Sequence, residues 1–554
     1  MVTPIWTTAC HDWEARIVRG DTIIPPPIFP DQAAEALAIF KSLRVIDLPG
    51  KPTFGECSEQ WVFDFVAAIF GAYDADTGNQ LIREFYLLIS KKNTKSTVAA
   101  GIILTATILC WREDEEHLIL SPTKEVADNS FKPAAAMVRA DEELSELFHI
   151  QDHIRTISHR VTKQSLKVVA ADTDTVSGKK AGRVIVDEHW LFGKRVNAEA
   201  MFQEALGGQI SRNEGWVIYL TTQSDEPPSG VFKDKLQYFR DVRDGILVDK
   251  KSLGVLYEFP AHMIKDKAYL LPENFYITNP NIGRSVSREW LEDNLKKNEH
   301  KIDGGIQTFL AKHLNVQIGM NLRSDRWSGA DFWEQAALPG LTLDTLLERC
   351  DVIDVGIDGG GLDDLLGLAL LGRDRVSGRK LHWGHAWAHP SVLERRKGEA
   401  ARFKDFAAAG DLTLAQQIGD DVTAVVAIVA RIDGMGLLDK VGVDPYGIGT
   451  ILEALVAAGV DEAKLVGISQ GWKMAGAIKT TERWLAEGQL GHCGSDMMAW
   501  CVGNAKIVPV GNAVSITKQA SGNAKIDPLM ALLNAASLMA LNPASSKSFW
   551  DKDT

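Results

Sequence analysis

The chain has 554 residues, of which 60 are lysine or arginine and 73 are aspartate or glutamate, so its formal net charge is −13. Its 45% apolar and 24% charged residues are typical of a globular protein, and its length is sufficient for about two to four domains. The excess of acidic residues excludes a protein that coats nucleic acid with a uniformly basic surface. It does not exclude an enzyme that binds nucleic acid in one local groove.

The cysteine spacing and the hydropathy exclude further classes of protein. The six cysteines have no CxxC spacing, which excludes a disulfide scaffold and a structural zinc site and is typical of a reducing cytoplasm. The N-terminal segment lacks the apolar core of a secretory signal. The longest apolar run, Val98 to Trp111, has 14 residues, so we expect a buried helix and no membrane span.

The first half of the chain has the pattern of an α/β sheet. Residues 1–56 are rich in proline and predict an irregular lead-in with one helix near 31–43. Apolar strands and helices alternate from 81 to 223. The predicted strands are 85–89, 117–120, 166–170, 183–187 and 216–221, and the predicted helices are 96–111, 123–147 and 196–210. This alternation indicates a parallel sheet covered on both faces.

The second half begins with a more polar region. Its charged helix is predicted over 287–300, and the region is interpreted as a linker or lid. A second α/β pattern starts at 351 with three apolar segments, which predict a three-stranded meander. The later predicted elements are a helix at 391–408, a strand at 440–444, a helix at 449–458, a strand at 464–468 and a helix at 527–541.

A candidate phosphate-binding loop follows the first strand of the predicted sheet. Lys95 and Ser96 stand where such a loop carries a lysine for the β- and γ-phosphates and a hydroxyl for Mg²⁺. Backbone N–H groups at a helix N-terminus also bind phosphate. Ile89 and Thr94 replace the consensus glycines, so this segment taken alone also fits a solvated basic turn.

Polar residues end two further strands of the same sheet. Asp187 can hold Mg²⁺ through water, and Glu188 can polarise the attacking water. The hydroxyl and amide groups of Thr221, Thr222 and Gln223 are suited to sensing hydrolysis at a γ-phosphate. Each motif alone also fits an ordinary strand end. Together, in this order and at the carboxyl ends of parallel strands, they indicate an ATPase.

Three carboxylates in the second half predict a metal site. Asp358 and Asp444 each follow an apolar strand, and Asp527 opens the last helix. Their convergence would bind two divalent metals about 4 Å apart for phosphodiester cleavage. Each also has a structural explanation, which for Asp527 before Pro528 is a helix N-cap. Nearby acids that compete for the role are Asp354, Asp363 and Asp364, the last two of which are expected to begin the next strand or to line its turn.

The ordered motifs resemble the large subunit of tailed-bacteriophage terminases, the DNA-packaging motor. The resemblance covers roughly residues 50–540. It is carried by SKKNTKST, VIVDE, TTQS, TNPNIG followed by FLAKHLNV, GIDGG, VGVDPYG and KIDPLMALLNA. It implies an α/β fold in two parts. The N-terminal part is a RecA/P-loop-type ATPase that has a parallel sheet and a linker or lid subdomain, and the C-terminal part is a ribonuclease-H-like nuclease. The implied boundaries are a lead-in at 1–56, the ATPase core at 57–250, the lid at 251–338 and the nuclease at 339–554.

The resemblance also assigns roles in the ATPase half. Residues that match its nucleotide-binding loop are Lys91, Lys92, Asn93, Thr94, Lys95 and Ser96. It implies that Asp187 holds Mg²⁺ and that Glu188 is the catalytic glutamate. Residues Thr221, Thr222 and Gln223 match its coupling motif. Gln60 resembles its adenine-side glutamine, and Arg212 is a candidate arginine finger, although an ordinary surface arginine fits that position equally well.

One departure from the family concerns the loop. Thr94 replaces a glycine, and a β-branched residue resists positive φ. Either φ stays negative at Thr94 or ATP binding is weaker than usual. In the nuclease half, the acids Asp358, Asp444 and Asp527 match the family's metal-binding residues.

The resemblance implies cofactors, partners and a location. The cofactors are ATP with Mg²⁺ in the ATPase and Mg²⁺ or Mn²⁺ at a two-metal nuclease site. The partners are double-stranded DNA, the portal protein, the small terminase subunit and further copies in a ring, expected to be a pentamer on the procapsid. The expected location is the cytoplasm of an infected bacterial host, without a membrane and outside the mature virion.

Two other functions fit parts of the pattern. One is a helicase-type ATPase fused to a resolvase-like nuclease. Such a helicase would have a second RecA-like domain with an arginine motif after residue 338, whereas this chain has the acid cluster of a nuclease there. The other is a catalytically dead packaging scaffold, in which Thr94 marks an inactive loop.

Overall fold

The computed structural model describes residues 4–170, 181–195, 197–299, 305–318, 327–361, 364–444, 449–511, 513–518 and 525–545. The chain divides into two compact units, Met1–Ile318 and Gly319–Thr554. The predicted division at 338 lies 20 residues later than the observed one. Trp327 and Trp333 account for part of this difference, because both are buried in the core of the second unit.

The first unit contains twelve described α-helices and ten described strands. The helices are α1 Trp13–Arg19, α2 Pro30–Ser42, α3 Phe54–Cys57, α4 Gln60–Phe70, α5 Lys95–Ile108, α6 Lys124–Arg139, α7 Glu142–Leu147, α8 Ala198–Leu206, α9 Gly230–Asp244, α10 Ala261–Lys265, α11 Arg288–Glu299 and α12 Gly305–Leu314. The strands are β1 Tyr73–Asp74, β2 Asn79–Gln80, β3 Glu84–Leu88, β4 Glu116–Ser121, β5 Phe148–Gln151, β6 Thr156–His159, β7 Ser165–Ala170, β8 Arg183–Val186, β9 Trp216–Thr221 and β10 Ser252–Leu256.

Eight of these strands form one sheet in the order β10-β3-β9-β8-β4-β7-β6-β5. Strands β10 to β7 along this order are mutually parallel, and β6 and β5 extend one edge antiparallel. The five predicted strands are confirmed, and four of them are runs buried on both faces apart from the first residue of β3, β4 and β8, whereas Lys167 and Val169 of β7 are half-buried. Strand β10 lies within the range assigned to the lid, yet it forms the sheet's other edge.

The second unit contains nine described helices and nine described strands. The helices are α13 Ala330–Trp333, α14 Leu343–Arg349, α15 Ser391–Arg395, α16 Ala400–Ala408, α17 Asp420–Gly434, α18 Gly449–Ala457, α19 Ala475–Ala486, α20 Asp496–Asn504 and α21 Asp527–Met539. The strands are β11 Cys350–Gly359, β12 Leu366–Asp374, β13 Lys380–Ala388, β14 Leu412–Leu414, β15 Leu438–Val443, β16 Leu465–Gly467, β17 Leu490–His492, β18 Ala505–Val510 and β19 Ala513–Lys518.

The central sheet of the second unit has the order β14-β13-β12-β11-β15-β16, and β17 also pairs with β13. Strands β11, β12 and β13 form the predicted antiparallel meander, and β15 and β16 continue the sheet parallel to β11. Helix α21 lies on one face. At Gly356 in β11, an added Cβ would lie 1.8 Å from the Ala531 carbonyl oxygen. Glycine therefore permits the close approach of α21 to the sheet.

Candidate functional site

The phosphate loop of the first unit connects β3 to α5. It contains two left-handed residues, Lys92 at φ 71° and Thr94 at φ 60°. The negative φ considered for Thr94 is therefore wrong. The Thr94 Oγ1 atom accepts a hydrogen bond from Asn281 Nδ2 at 3.1 Å. The side chain of Asn93 is buried and donates to Ser90 O at 3.1 Å, which closes the loop on itself.

Asp187 directly follows strand β8 and lies beside the start of α5. Its Oδ2 atom accepts hydrogen bonds from Ser96 Oγ at 3.2 Å and from Ser130 Oγ at 2.8 Å. Burial, followed by the adjacent Glu188 carboxylate, raises the pKa of Asp187 to about 6. The structure thus brings the predicted hydroxyl and carboxylate ligands for Mg²⁺ together, and a bound cation would compensate the buried carboxylate.

Glu188 lies at the same edge of the sheet in the left-handed conformation, at φ 50°. Its Oε2 atom accepts a hydrogen bond from the Trp190 indole N–H at 2.6 Å. Its Oε1 atom lies 4.0 Å from the ammonium of Lys95, which is itself buried. The predicted catalytic glutamate is therefore oriented by an aromatic donor that the sequence analysis did not identify.

The coupling motif begins at the last residue of β9, the strand between β3 and β8. Thr221 Oγ1 accepts from the Trp190 backbone N–H at 3.0 Å, and Thr222 Oγ1 donates to Gln223 O at 3.2 Å. The Gln223 side chain is fully buried. Neither its Oε1 nor its Nε2 has a hydrogen-bond partner in the part of the chain that the structure describes. A buried carboxamide without partners is costly, and a bound polar ligand would satisfy it.

Two segments that carried the family resemblance without assigned roles also reach this site. Asn279 Oδ1 accepts from Asn93 Nδ2 at 2.9 Å. At the end of α12, Lys312 Nζ donates to Gln223 O at 2.8 Å, and Asn315 Oδ1 accepts from Gln223 N at 3.2 Å. Their composition gave little signal, because asparagine-rich turns and single lysines near the end of a helix occur widely.

Gln60 lies at the start of α4 and donates to Asp64 at 2.7 Å. It lines a cavity of about 290 Å³ together with Trp61, Tyr257 and Asn279. Asn279 also contacts the phosphate loop through Asn93, so the cavity adjoins the loop. This position is compatible with the predicted adenine side.

Arg212 is not brought to the nucleotide site. It precedes β9, at the amino edge of the sheet, and its Nε donates to the buried Glu115 Oε2 at 2.9 Å. Glu115 also accepts from the Gly182 N–H at 2.9 Å, so this cluster joins the starts of neighbouring strands. The ion pair accounts for Arg212 structurally, and its role as an arginine finger stays a prediction.

The predicted acids of the second unit lie at one edge of its sheet. Asp358 is near the end of β11, and Asp444 follows Val443 of β15, which pairs in parallel with Ile357. Asp527 begins α21. Gly367 pairs with Asp358, and a Cβ added to Gly367 would lie 3.0 Å from the Asp527 carbonyl carbon. Strand register and helix approach therefore place the three acids near one another.

Asp527 does not cap its helix. The N-cap position is Ile526, without a side-chain cap, so the N-cap interpretation of Asp527 is wrong. Burial, then the neighbouring Asp364 carboxylate, raises the pKa of Asp527 to about 7. Its Oδ2 atom is buried and lacks a hydrogen-bond partner among the described residues. This unpartnered oxygen atom could accept a cation.

A buried lysine, Lys525, forms an ion pair with Asp364 beside Asp527. Although burial opposes the change, the hydrogen bond from Lys525 lowers the pKa of Asp364. Asp364 was predicted to begin the next strand or to line its turn, and it lies before β12; no role was predicted for Lys525. Asp354 lies deep in β11, away from the strand end, and Asp363 lies outside the described residues.

The predicted nuclease acids lie near one another, but their side chains do not converge as the ligands of a metal ion would. Within the described ranges, no three His, Cys, Asp or Glu side chains are arranged so that they could hold a metal ion. Joint metal binding by Asp358, Asp444 and Asp527 therefore stays a prediction. Among the same residues, no helix is long and apolar enough to cross a membrane.

Comparisons with known proteins match two consecutive regions of the chain, and the second match begins inside the first structural unit. The family model "Terminase large subunit, ATPase domain" matches residues 61–241, and "Terminase large subunit, endonuclease domain" matches residues 255–542. The chain is 23% identical over 352 residues to Protein YmfN of Escherichia coli K12, which covers 61% of this chain and 73% of YmfN.

Solved structures of large terminases are also similar. The HK97 bacteriophage large terminase is 20% identical with a TM-score of 0.47, and the match covers 92% of this chain and 99% of that one. The large terminase of a thermophilic bacteriophage, solved in complex with ADP, is 11% identical with a TM-score of 0.31, covering 83% of this chain and 93% of that one.

The endonuclease-domain model alone matches more than half of the chain. The predicted α/β fold, with an N-terminal ATPase domain and a C-terminal nuclease domain, is confirmed. The chain belongs to the terminase large subunit family.

Proposed function

We propose that this protein uses ATP hydrolysis to translocate double-stranded viral DNA into a procapsid and cuts concatemeric DNA at a two-metal nuclease site. The observation that carries the motor half is the convergence of Lys95, Ser96, Asp187 and Glu188 on one sheet edge, beside the unpartnered carboxamide of Gln223. Parallel α/β sheets bind ligands at this edge.

In the proposed ATP site, each residue has a distinct task. The loop N–H groups and the Lys95 ammonium bind the phosphates. Ser96 and Asp187 would hold Mg²⁺, which neutralises charge that develops on the phosphates. Glu188, oriented by Trp190, positions and polarises the attacking water. Gln223 senses the γ-phosphate or that water and passes the change to the segment after β9.

In the proposed nuclease site, Asp358, Asp444 and Asp527 would hold Mg²⁺ or Mn²⁺. Two bound ions would supply an activated water and would stabilise the leaving oxygen of the phosphodiester. The close approach of α21 at Gly356 brings Asp527 to the strand ends. Lys525 compensates the charge of Asp364, which keeps the local excess of negative charge low.

The assembly and location follow from this activity. Translocation against pressure requires several copies of the chain, and we propose a ring, with five members, on the portal of the procapsid. The small terminase subunit would select the DNA. This work would take place in the cytoplasm of the infected bacterium, before the mature virion is complete. The acidic net charge is consistent with a weak, salt-sensitive hold on DNA.

Two variants test the two halves separately. Glu188→Ala is expected to abolish ATP hydrolysis and leave Mn²⁺-dependent plasmid cutting intact. Asp358→Ala is expected to abolish cutting and leave ATP hydrolysis intact. Full ATP turnover by Glu188→Ala would refute the motor site, and unchanged cutting by Asp358→Ala would refute the nuclease site.

A further inference from the structure

The last turn of α12 and the residue after it hold both backbone groups of Gln223. The Lys312 ammonium donates to the Gln223 carbonyl at 2.8 Å. Asn315 Oδ1 accepts from the Gln223 N–H at 3.2 Å, while its Nδ2 donates to Tyr257 O at 3.0 Å. The backbone of Gln223 is therefore fixed from one side, although its buried side-chain amide has no partner among the described residues.

The same turn also holds the phosphate loop. The Lys91 backbone N–H donates to the Lys312 carbonyl at 2.7 Å. Asn279 Nδ2 donates to the His313 carbonyl at 2.9 Å, and Asn279 Oδ1 accepts from Asn93 at 2.9 Å. Direct hydrogen bonds therefore join the phosphate loop to the end of α12.

The environment of Lys312 connects it to Glu188 as well. Its Nζ lies 2.9 Å from the centre of the Trp190 ring, and the Trp190 indole N–H donates to Glu188. Burial lowers the pKa of Lys312 to about 7, although the carboxylates of Asp225 and Glu188 act in the opposite direction. An ammonium at a buried position carries a desolvation cost that an apolar residue would avoid, so packing alone does not explain a lysine here.

We propose that Lys312 and Asn315 are positioning residues of the ATP site, which fix Gln223 relative to the phosphate loop and Glu188 so that its carboxamide is available to the reacting γ-phosphate or water. In this arrangement Lys312 acts through its neighbours, and Lys95 is the lysine that binds the phosphates. The proposal rests on the ATPase function proposed above.

The test compares Lys312→Met with a control, Lys297→Met, at an exposed position of α11. ATP affinity is measured with a fluorescent ATP analogue and Mg²⁺, and kcat by phosphate release from the full chain. Because Met retains the stem and loses the donor, kcat is expected to fall about tenfold or more while the dissociation constant changes less than about threefold. The control is expected to match the wild type.

Lys312→Arg retains a cationic donor, so we expect its kcat to be close to that of the wild type and well above that of Lys312→Met. Should Lys312→Met fail to fold, Asn315→Ala gives the same test, because it removes the acceptor for the Gln223 N–H. Weakened ATP binding at unchanged kcat would overturn the proposal and make Lys312 a phosphate ligand. Unchanged kcat in both variants would also overturn it. A wild-type chain that hydrolyses no ATP would refute the proposed function itself, and this proposal with it.

Discussion

Asn281 donates a hydrogen bond to the hydroxyl of Thr94 at 3.1 Å, and Thr94 has a left-handed backbone at φ 60°. A β-branched residue is strained in this conformation by about 1–2 kcal/mol. The turn at residues 279–281 therefore holds the phosphate loop in a shape that glycine would adopt without strain. The Thr94 hydroxyl offsets part of the strain that its own methyl group and backbone create.

Two substitutions at Thr94 separate these effects. Thr94→Val keeps the β-branch and loses the hydroxyl, so we expect the free energy of unfolding to fall by about 1–2 kcal/mol. Thr94→Gly loses the same hydrogen bond and removes the strain, so we expect a value within about 1 kcal/mol of the wild type. Urea unfolding of the nucleotide-free chain measures both. Equal stability of the two variants would show that Thr94 carries no backbone strain.

Trp190→Phe tests how Glu188 is oriented. Phenylalanine retains a ring beneath Lys312 and loses the N–H that donates to Glu188 at 2.6 Å. We expect kcat for ATP hydrolysis to fall about threefold to tenfold at nearly unchanged ATP affinity, because a hydrogen bond to a charged group is lost. Trp111→Phe, at an exposed tryptophan, is the control. If both variants hydrolyse ATP at the wild-type rate, the indole does not orient Glu188.

Asp354 predicts a pH dependence of stability in the second unit. Its carboxylate is fully buried in β11, and burial followed by the Asp439 carboxylate raises its pKa to about 7. The folded chain thus binds this proton more tightly than the unfolded chain. The associated stability is complete below the ordinary pKa of an aspartate and is lost as pH rises through about 7.

Asp354→Asn removes this titration. At pH 8 the variant is expected to be more stable than the wild type by on the order of 2 kcal/mol, and the difference is expected to shrink towards pH 5. Melting temperatures of the full chain at the two pH values provide the measurement. A variant whose stability changes with pH as steeply as that of the wild type would contradict this account of Asp354.

Gly356→Ala tests the approach of α21 to the sheet. The new Cβ would lie 1.8 Å from Ala531 O, so the helix must move, and we expect a loss of about 3 kcal/mol or more. Because α21 carries Asp527, plasmid cutting is expected to be lost while ATP hydrolysis is retained. Gly434→Ala, in α17, meets no atom within 4 Å and is expected to be neutral or stabilising. Normal cutting by Gly356→Ala would show that this contact does not position Asp527.

The sequence predicted the parts of the fold that have a strong local signal. The buried strands of both sheets and the residues at their carboxyl ends, such as Asp187 and Asp358, follow from apolar runs that end in polar residues. Elements with weak or mixed patterns were missed. Strand β10 is buried and as long as β3, but it lies in a region whose overall composition is polar and which was interpreted as a linker or lid. The antiparallel edge strands β5 and β6 contain His149 and Ser158, so neither has a continuous apolar run.

Helix boundaries and long-range contacts could not be predicted from the sequence either. The single helices predicted at 123–147 and 391–408 are each two helices. The first divides at Asp141, which caps the second part by accepting from Leu144 N. The hydrogen bonds of Gln223 with Lys312 and Asn315 join segments about 90 residues apart. Such pairs depend on the assembled sheet and leave no local pattern.

The most direct test of the packaging motor is uptake of DNA. Linear duplex DNA is incubated with ATP, the full chain and portal-bearing procapsids, and the DNA that resists added DNase is measured for the wild type, Glu188→Gln and Asp358→Asn. We predict ATP-dependent protection with the wild type and with Asp358→Asn, because precut DNA needs no nuclease, and none with Glu188→Gln. Protection by Glu188→Gln equal to that of the wild type, or no ATP-dependent protection by any of the three, would contradict the assignment of the motor.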